Sequence, residues 1–161
     1  KAINDEISKM NFVPIRNLSG HEMQLFSLHA GLTIPNYDNK NTTKLPEGIF
    51  AIEPFATTVQ GLVVDGKPSG IYMLTNSINV RDAKTREILQ FIEKEYKTLP
   101  FSARWLIKQF GLRAKLSLRM LEQQGILHQF AQLMEVSKSP VSQAEKTILV
   151  EKDKITIMTT D

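Results

Sequence analysis

One histidine and two glutamates stand in three separate short segments, where their side chains could bind a metal ion. His21 follows a glycine, Glu53 lies in an apolar run, and Glu145 precedes another apolar run. Divalent metals of intermediate softness accept such mixed nitrogen and oxygen ligands, and a carboxylate in an apolar strand is costly unless it is paired or metal-bound. Each residue alone also has an ordinary structural interpretation: a hydrogen-bonded histidine, an outward-facing strand residue, and an ion-pair partner of Lys146.

A second histidine, His29, follows His21 at an even spacing. An unbroken strand would place both imidazoles on one face, but the intervening residues favour a turn, so the spacing alone leaves their relation open. His128, the third histidine, is expected at the surface, in the turn after the last predicted helix.

Short β-type runs separated by turn residues follow a helical end at residues 2–10. The runs are 12–15, 28–34, 49–57, 61–64 and 70–74. The last two flank Asp65-Gly66-Lys67-Pro68, which favours a hairpin. Four or five strands with short links predict an antiparallel sheet, and the runs 147–150 and 154–158 predict a closing hairpin.

The hydrophobic period changes from that of a strand to that of a helix after residue 81. Asp82 and Ser102 are predicted to cap two helices, Gly111 to end the second, and a third helix is predicted over 112–124. The side chains expected in the core of this helical part include Trp105, Leu116, Met120 and Leu121. With the extended run 126–136 that follows, the arrangement is winged-helix-like.

Composition narrows the function classes. The chain has 161 residues and no cysteine, which fits one sizeable core and excludes a disulfide framework or a thiolate metal site. No apolar run approaches the roughly 18 residues of a membrane span, and a cytoplasmic protein is expected.

Net charge is +3, but residues 96–121 carry six basic and no acidic residues. A solvated helical face is the favoured interpretation of that segment, with nucleic-acid binding as its rival.

The motifs around these residues resemble the C-terminal half of a type 2 methionine aminopeptidase of the archaeal kind. The motifs are Gly20-His21-Glu22, Leu28-His29-Ala30-Gly31, Ala51-Ile52-Glu53-Pro54-Phe55 and Ser142-Gln143-Ala144-Glu145-Lys146-Thr147. The run from Tyr96 to Leu106 resembles the insertion that marks the type 2 enzymes. The resemblance extends over nearly all of the chain.

The resemblance implies an α+β fold, namely the C-terminal half of the pita-bread (creatinase/aminopeptidase-like) fold, with a mainly antiparallel sheet and a winged-helix-like helical insertion. Residues 1–80 would form half of the catalytic domain, 81–137 the helical insertion subdomain, and 138–161 the return of the catalytic domain with its final hairpin.

The resemblance also implies a metal-dependent hydrolase that removes the N-terminal methionine from nascent proteins, using a water activated by two divalent ions (Co, Mn, Fe or Zn). His21, Glu53 and Glu145 match the family's histidine and two glutamate metal ligands, and Glu145 matches the glutamate that bridges both ions. His29 matches an active-site histidine that hydrogen-bonds the substrate, while Leu28 and Phe130 match positions that line the methionine pocket.

The implied partners are a peptide or nascent chain beginning with methionine and a missing N-terminal half. A membrane partner is not expected, and nucleic acid is disfavoured because the family's insertion roofs the active site. Lys146 stands where the family usually has histidine, which is expected to weaken the metal site.

Both aspartate ligands and the upstream substrate-binding histidine belong to the family's N-terminal half, so the chain alone is expected to be inactive. Because Lys1 stands first, we expect a longer reading frame or a split protein. The alternative is a non-catalytic pita-bread relative that binds RNA, the ribosome or protein partners. A freestanding winged-helix binder leaves residues 1–75 unexplained.

Overall fold

The computed structural model describes residues 1–159, which form an α+β fold, as the sequence predicts. Its helices are α1 (Ala2–Lys9), α2 (Ala83–Glu95), α3 (Ala103–Phe110) and α4 (Arg113–Gln123). Its strands are β1 (Val13–Pro14), β2 (Ser19–Met23), β3 (Thr33–Pro35), β4 (Gly48–Ile52), β5 (Phe55–Thr57), β6 (Val63–Leu74), β7 (Phe101–Ser102), β8 (Leu127–Glu135), β9 (Val141–Gln143), β10 (Lys146–Glu151) and β11 (Lys154–Ile157).

The chain divides into two compact units, one made of residues 1–64 with those from 133 onward, the other of 65–132. The functional division into 1–80, 81–137 and 138–161 remains a prediction. No helix of the described residues is long and apolar enough to cross a membrane.

A five-stranded sheet in the order β11-β10-β4-β2-β3 dominates the first unit, and its paired strands are antiparallel. Strand β4 lies at its centre, where Phe50 and Ala51 are buried. The predicted closing hairpin is confirmed as β10 and β11. A smaller sheet in the order β1-β5-β9 belongs to the same unit. The sheet therefore brings β2, β4 and β10, which carry or adjoin the candidate ligands, side by side.

Helices α2, α3 and α4 of the second unit share one apolar core. Asp82 caps α2 by accepting a hydrogen bond from the Thr85 amide at 2.8 Å, and Ser102 caps α3. Gly111, with a positive φ of 70°, ends α3. These three predictions are confirmed. The core residues on the helices are Ile88, Leu89, Ile92, Leu106, Ala114, Leu118 and Leu121.

The expected phase of α4 is wrong. Leu116 is 67% exposed and Met120 is 38% exposed, although Leu121 is buried. The buried stripe runs instead through Ala114, Ser117, Leu118 and Leu121, which is the spacing of one helical face. Ser117 can lie inward because its hydroxyl is 3.1 Å from that of Thr85, so the buried polar group is satisfied. A search for large apolar residues misses such a stripe.

Trp105 is also misplaced by the prediction, because it is 52% exposed rather than buried. The predicted hairpin at residues 65–68 is wrong as well, since β6 runs without a break from Val63 to Leu74. The extended runs 28–34 and 49–57 are shorter than predicted. Strand β3 begins only at Thr33, and the second run is interrupted between β4 and β5. Glu53 therefore lies just after β4 rather than inside a strand.

Candidate metal centre

The strand register places the two glutamates opposite each other. Lys146 pairs with Ile52 where β10 meets β4, and Gln143 pairs with Phe55 where β9 meets β5. The Ala144 amide donates to the Pro54 carbonyl at 3.1 Å, which continues the same register through the gap. Glu145 therefore lies across from Glu53.

Strand β2 adds the histidine from the other side of β4. His21 pairs with Ala51, and residues two apart in an extended chain point to the same face. His21, the diagonally placed Glu53, and Glu145 accordingly share one face. Alternation places Lys146 on the opposite face from Glu145, which argues against direct competition between its ammonium group and a metal on the Glu145 side.

His21 and Glu53 are in direct contact. The His21 Nε2 atom lies 2.9 Å from Glu53 Oε1, and both side chains are largely shielded from solvent. The His21 Nδ1 atom lies 3.3 Å from the Glu22 carbonyl. This contact orients the ring, with Nδ1 toward the carbonyl and Nε2 toward Glu53. Histidine ligands of metals are commonly oriented by such a second hydrogen bond.

Burial is the main cause of a raised pKa at the Glu53 carboxyl, and the negative charge of Glu145 raises that pKa further. The positive charge and hydrogen bond of His21 act in the opposite direction, as does a hydrogen bond from Gln143 Nε2 to Glu53 Oε2 at 3.3 Å. Two carboxylates that share a site favour protonation of one of them, and a cation between them would reverse that preference.

Gln143 is a site residue that the sequence analysis did not single out. Its signal is its position two residues before Glu145, because in an extended chain this spacing puts both side chains on one face. Its amide donates to Glu53 and so helps to hold the carboxylate in place.

His29 lies beside this pair. Its ring meets the His21 ring edge to face, with centroids 4.4 Å apart. Partial burial of the His29 ring lowers its pKa, and the nearby charge of His21 lowers it further. His29 lies in the turn between β2 and β3. The turn folds the chain back and brings its ring beside His21, so the two histidines do not lie on one strand. A neutral His29 imidazole can donate one hydrogen bond and accept another.

Gly20 explains how β2 can approach β4 so closely. A Cβ atom at this position would lie 2.3 Å from the Ala51 carbonyl oxygen and 3.2 Å from the Glu53 amide nitrogen. The glycine before His21 is therefore needed for space, since only a residue without a side chain fits there. It lets the His21 ring reach Glu53.

His21, Glu53 and Glu145 share a face of the sheet, but their three side chains do not converge on one point, and Glu145 is exposed. Among residues 1–159, no group of three or more histidine, aspartate or glutamate side chains is close enough to hold a metal ion. Leu28 is half-buried in the first unit. Phe130 is half-buried in the second unit, where its ring meets His128 with centroids 4.8 Å apart. The roles of Leu28 and Phe130 as pocket residues remain predictions.

Proteins of similar sequence align with nearly the whole of this chain. It is 48% identical over 162 residues to a methionine aminopeptidase of Pyrococcus horikoshii, covering 99% of this chain and 55% of that protein. It is 39% identical over 161 residues to the methionine aminopeptidase of Methanothermobacter thermautotrophicus, with 99% and 54% covered. The chain thus spans about half the length of the curated relatives it matches. No protein-family profile matches it.

Solved structures agree on the fold. A thermophilic Arx1 superposes with a TM-score of 0.75 at 18% identity, covering 93% of this chain and 41% of that one. A methionine aminopeptidase from Rickettsia prowazekii superposes with a TM-score of 0.51 at 19% identity, covering 97% and 39%. The fold is therefore that of a pita-bread protein, as predicted.

Among proteins with the pita-bread fold, the sequence relatives of this chain are methionine aminopeptidases. The chain corresponds to the C-terminal half of a type 2 methionine aminopeptidase, which confirms the resemblance in its motifs.

Proposed function

We propose that this chain supplies one half of a metal-dependent methionine aminopeptidase, which removes the N-terminal methionine from nascent proteins. The observation that carries the proposal is the identity of 36–48% to such enzymes over 99% of the chain. Newly made chains would be its substrates, and the cytoplasm is the location that this role implies.

His21, Glu53 and Glu145 are the residues that we propose as metal ligands. Their donor types, one imidazole and two carboxylates, suit a divalent ion, and the strand register puts all three residues on one side of the sheet. The contact of Nδ1 with the Glu22 carbonyl directs Nε2 toward Glu53, where a bound ion would replace their direct contact. Two ions of Co, Mn, Fe or Zn would supply an activated water and polarise the scissile carbonyl. The further ligands would come from a partner half.

His29 is proposed to orient the substrate beside this centre. Its lowered pKa favours the neutral imidazole, which can donate a hydrogen bond to a substrate carbonyl without adding positive charge next to the metal ions. Leu28 is proposed to contribute to the apolar surface that receives the methionine side chain. Phe130 would serve the same recognition step.

Complementation tests the proposal. The chain would be mixed with a separately made N-terminal half of the Pyrococcus horikoshii enzyme in the presence of Co or Mn, and methionine release from a Met-Ala-Ser peptide measured. Activity is expected only when both halves are present. The variant Glu53→Gln should abolish it, whereas Glu47→Gln, an exposed carboxylate near the other end of β4, should retain it.

Two results would contradict the proposal: a stable complex of both halves that binds metal and remains inactive, or strong activity that survives Glu53→Gln. Tight complex formation without metal binding would instead support the alternative, a non-catalytic relative that binds RNA, the ribosome or protein partners.

A further inference from the structure

The second unit carries an exposed surface that contains none of the proposed site residues. Helices α3 and α4 expose basic side chains there, α3 also exposes the only tryptophan of the chain, and we call these exposed residues the basic face. Its members are Arg104, Trp105, Lys108, Lys115, Leu116 and Arg119, all of which are exposed.

Arg104, Trp105 and Lys108 lie on the exposed surface of α3. Lys108 is three residues after Trp105 and four after Arg104, so its side chain is a surface neighbour of both. Leu106, the next residue along the helix, is buried. The indole therefore lies on the exposed side of α3, with Lys108 as its neighbour one turn away and Arg104 beside Lys108.

Helix α4 repeats the pattern. Lys115 and Arg119 are four residues apart, and Leu116 lies next to them on the outer side. Within the described residues, the side chains of Arg104, Lys108, Lys115 and Arg119 form no salt bridge. The ion pairs of this unit lie elsewhere, such as Lys84 with Glu87 and Lys94 with Glu95. Four cations without acidic partners are available to an anionic partner.

The Trp105 ring packs against other aromatic rings. Its ring centroid lies 5.8 Å from that of Tyr96, and Tyr96 in turn stacks on the buried Phe101 at 4.9 Å with nearly parallel planes. An exposed aromatic side chain that is held on a packed base loses little freedom when it binds. Such a ring is suited to stacking with a planar group.

We propose that the basic face binds RNA, with phosphates contacting the basic side chains and an unpaired base stacking on Trp105. Aromatic side chains beside a cationic groove are the usual platform for single-stranded nucleic acid, and in RNA the loops and bulges present unstacked bases. Duplex DNA offers phosphates but no free base. This proposal departs from the expectation that nucleic acid is disfavoured, which came from the resemblance and its insertion over the active site.

The binding measurement uses the intact 161-residue chain and a fluorescein-labelled U20 RNA. Anisotropy should give a dissociation constant of about 10⁻⁶ to 10⁻⁴ M at physiological salt, the range of contacts dominated by phosphates. The intrinsic fluorescence of Trp105 should be quenched as unlabelled U20 is added. Because Trp105 is the only tryptophan, quenching reports the proposed contact directly.

Variants separate the two kinds of contact. Trp105→Ala should weaken binding by roughly fivefold or more, since a stacked base depends on the ring, and Trp105→Phe should recover part of the loss. The double variant Arg104→Gln/Lys108→Gln should reduce the slope of log K against log salt by about 1.4. The matched control Lys152→Gln/Lys154→Gln removes two exposed charges from the β10–β11 turn and strand β11 and should leave the slope unchanged.

Competitors identify the partner class. Polyglutamate, vesicles of anionic phospholipid and a DNA duplex are expected to compete more weakly than U20 at equal charge. The proposal fails if the control variant lowers affinity as much as Arg104→Gln/Lys108→Gln does. It also fails if the indole is not quenched, or if polyglutamate or vesicles bind as well as RNA. Circular dichroism of each variant confirms that the helices remain folded.

Discussion

The Nε2 atom of His21 lies 2.9 Å from Oε1 of Glu53, although one residue sits in β2 and the other just beyond the end of β4. The contact depends on strand register and on the glycine that precedes the histidine. Glu145 faces Glu53 from the next strand over. In the absence of a cation this arrangement brings two carboxylates together, so we expect the site to prefer a positive charge between them.

Metal binding should depend on this pair. The isolated chain is expected to bind Mn²⁺ or Co²⁺ weakly, with at most one ion, because three protein donors leave the coordination incomplete. Glu53→Gln and His21→Ala should each weaken metal binding by about tenfold or more. Loss of a residue that only hydrogen-bonds a metal ligand commonly lowers metal affinity by that factor, and loss of a ligand itself should cost at least as much. Isothermal titration calorimetry measures both, with Glu47→Gln as the control. Equal affinity in all four proteins would show that the ion binds elsewhere.

Gly20→Ala should disrupt the contact between β2 and β4. The added Cβ would lie 2.3 Å from the Ala51 carbonyl oxygen, so β2 must move away, at a cost of about 1–3 kcal/mol in the free energy of unfolding. Chemical denaturation measures this loss. The neighbouring Ser19→Ala is the control and should cost less, because it adds no atom. An unfolding free energy for Gly20→Ala equal to that of the unmodified chain would contradict the predicted clash.

The sequence predicts the helix caps better than it predicts the helical core. The caps at Asp82 and Ser102 follow from local hydrogen-bonding rules that need no tertiary information, whereas the choice of His21, Glu53 and Glu145 as ligands comes from their motifs and remains a prediction. The facing of Glu53 and Glu145 depends on pairing between distant strands. The inward position of Ser117 depends on a hydroxyl partner from another helix. Neither relation can be read from local periodicity.

The corrected phase of α4 makes a direct prediction. Leu121→Ala should lower the free energy of unfolding by about 2–5 kcal/mol, because a fully buried side chain is removed from a packed core. Leu116→Ala should change it by no more than about 0.5 kcal/mol, because Leu116 is 67% exposed. Thermal and urea unfolding, followed by circular dichroism, compare the two. Equal losses would show that Leu116 is part of the core after all.

The Asp82 cap should make the second unit sensitive to acid. Hydrogen bonds from the Thr85 hydroxyl and amide are the main causes of a lowered pKa at the Asp82 carboxyl. A carboxyl whose folded pKa is lowered stabilises the fold above its unfolded pKa of about 3.9, and this contribution is lost as pH falls through the folded pKa.

Asp82→Asn retains a capping oxygen but cannot titrate. The stability advantage of the unmodified chain over this variant should be constant near neutral pH and should shrink in acid. Trp105 fluorescence during urea unfolding reports the second unit at each pH. Asp82→Ala removes the cap entirely and should be the least stable of the three near neutral pH. An advantage over Asp82→Asn that does not change down to pH of about 2 would rule out the carboxylate as its source.

Strand β11 should make the isolated chain associate. It is an edge of the five-stranded sheet, and Ile155 and Ile157 are 65% and 63% exposed on one of its faces. An apolar edge strand offers unpaired backbone groups to another chain.

The double variant Ile155→Lys/Ile157→Lys should therefore reduce self-association, which sedimentation velocity can follow from about 10 µM to about 1 mM. Leu25→Lys, which changes an 86% exposed leucine away from this edge, should associate like the unmodified chain. If both variants associate equally, the contact uses another surface. In the complementation experiment, an N-terminal half that covers β11 should suppress the association of the unmodified chain, because a paired edge no longer offers free backbone groups.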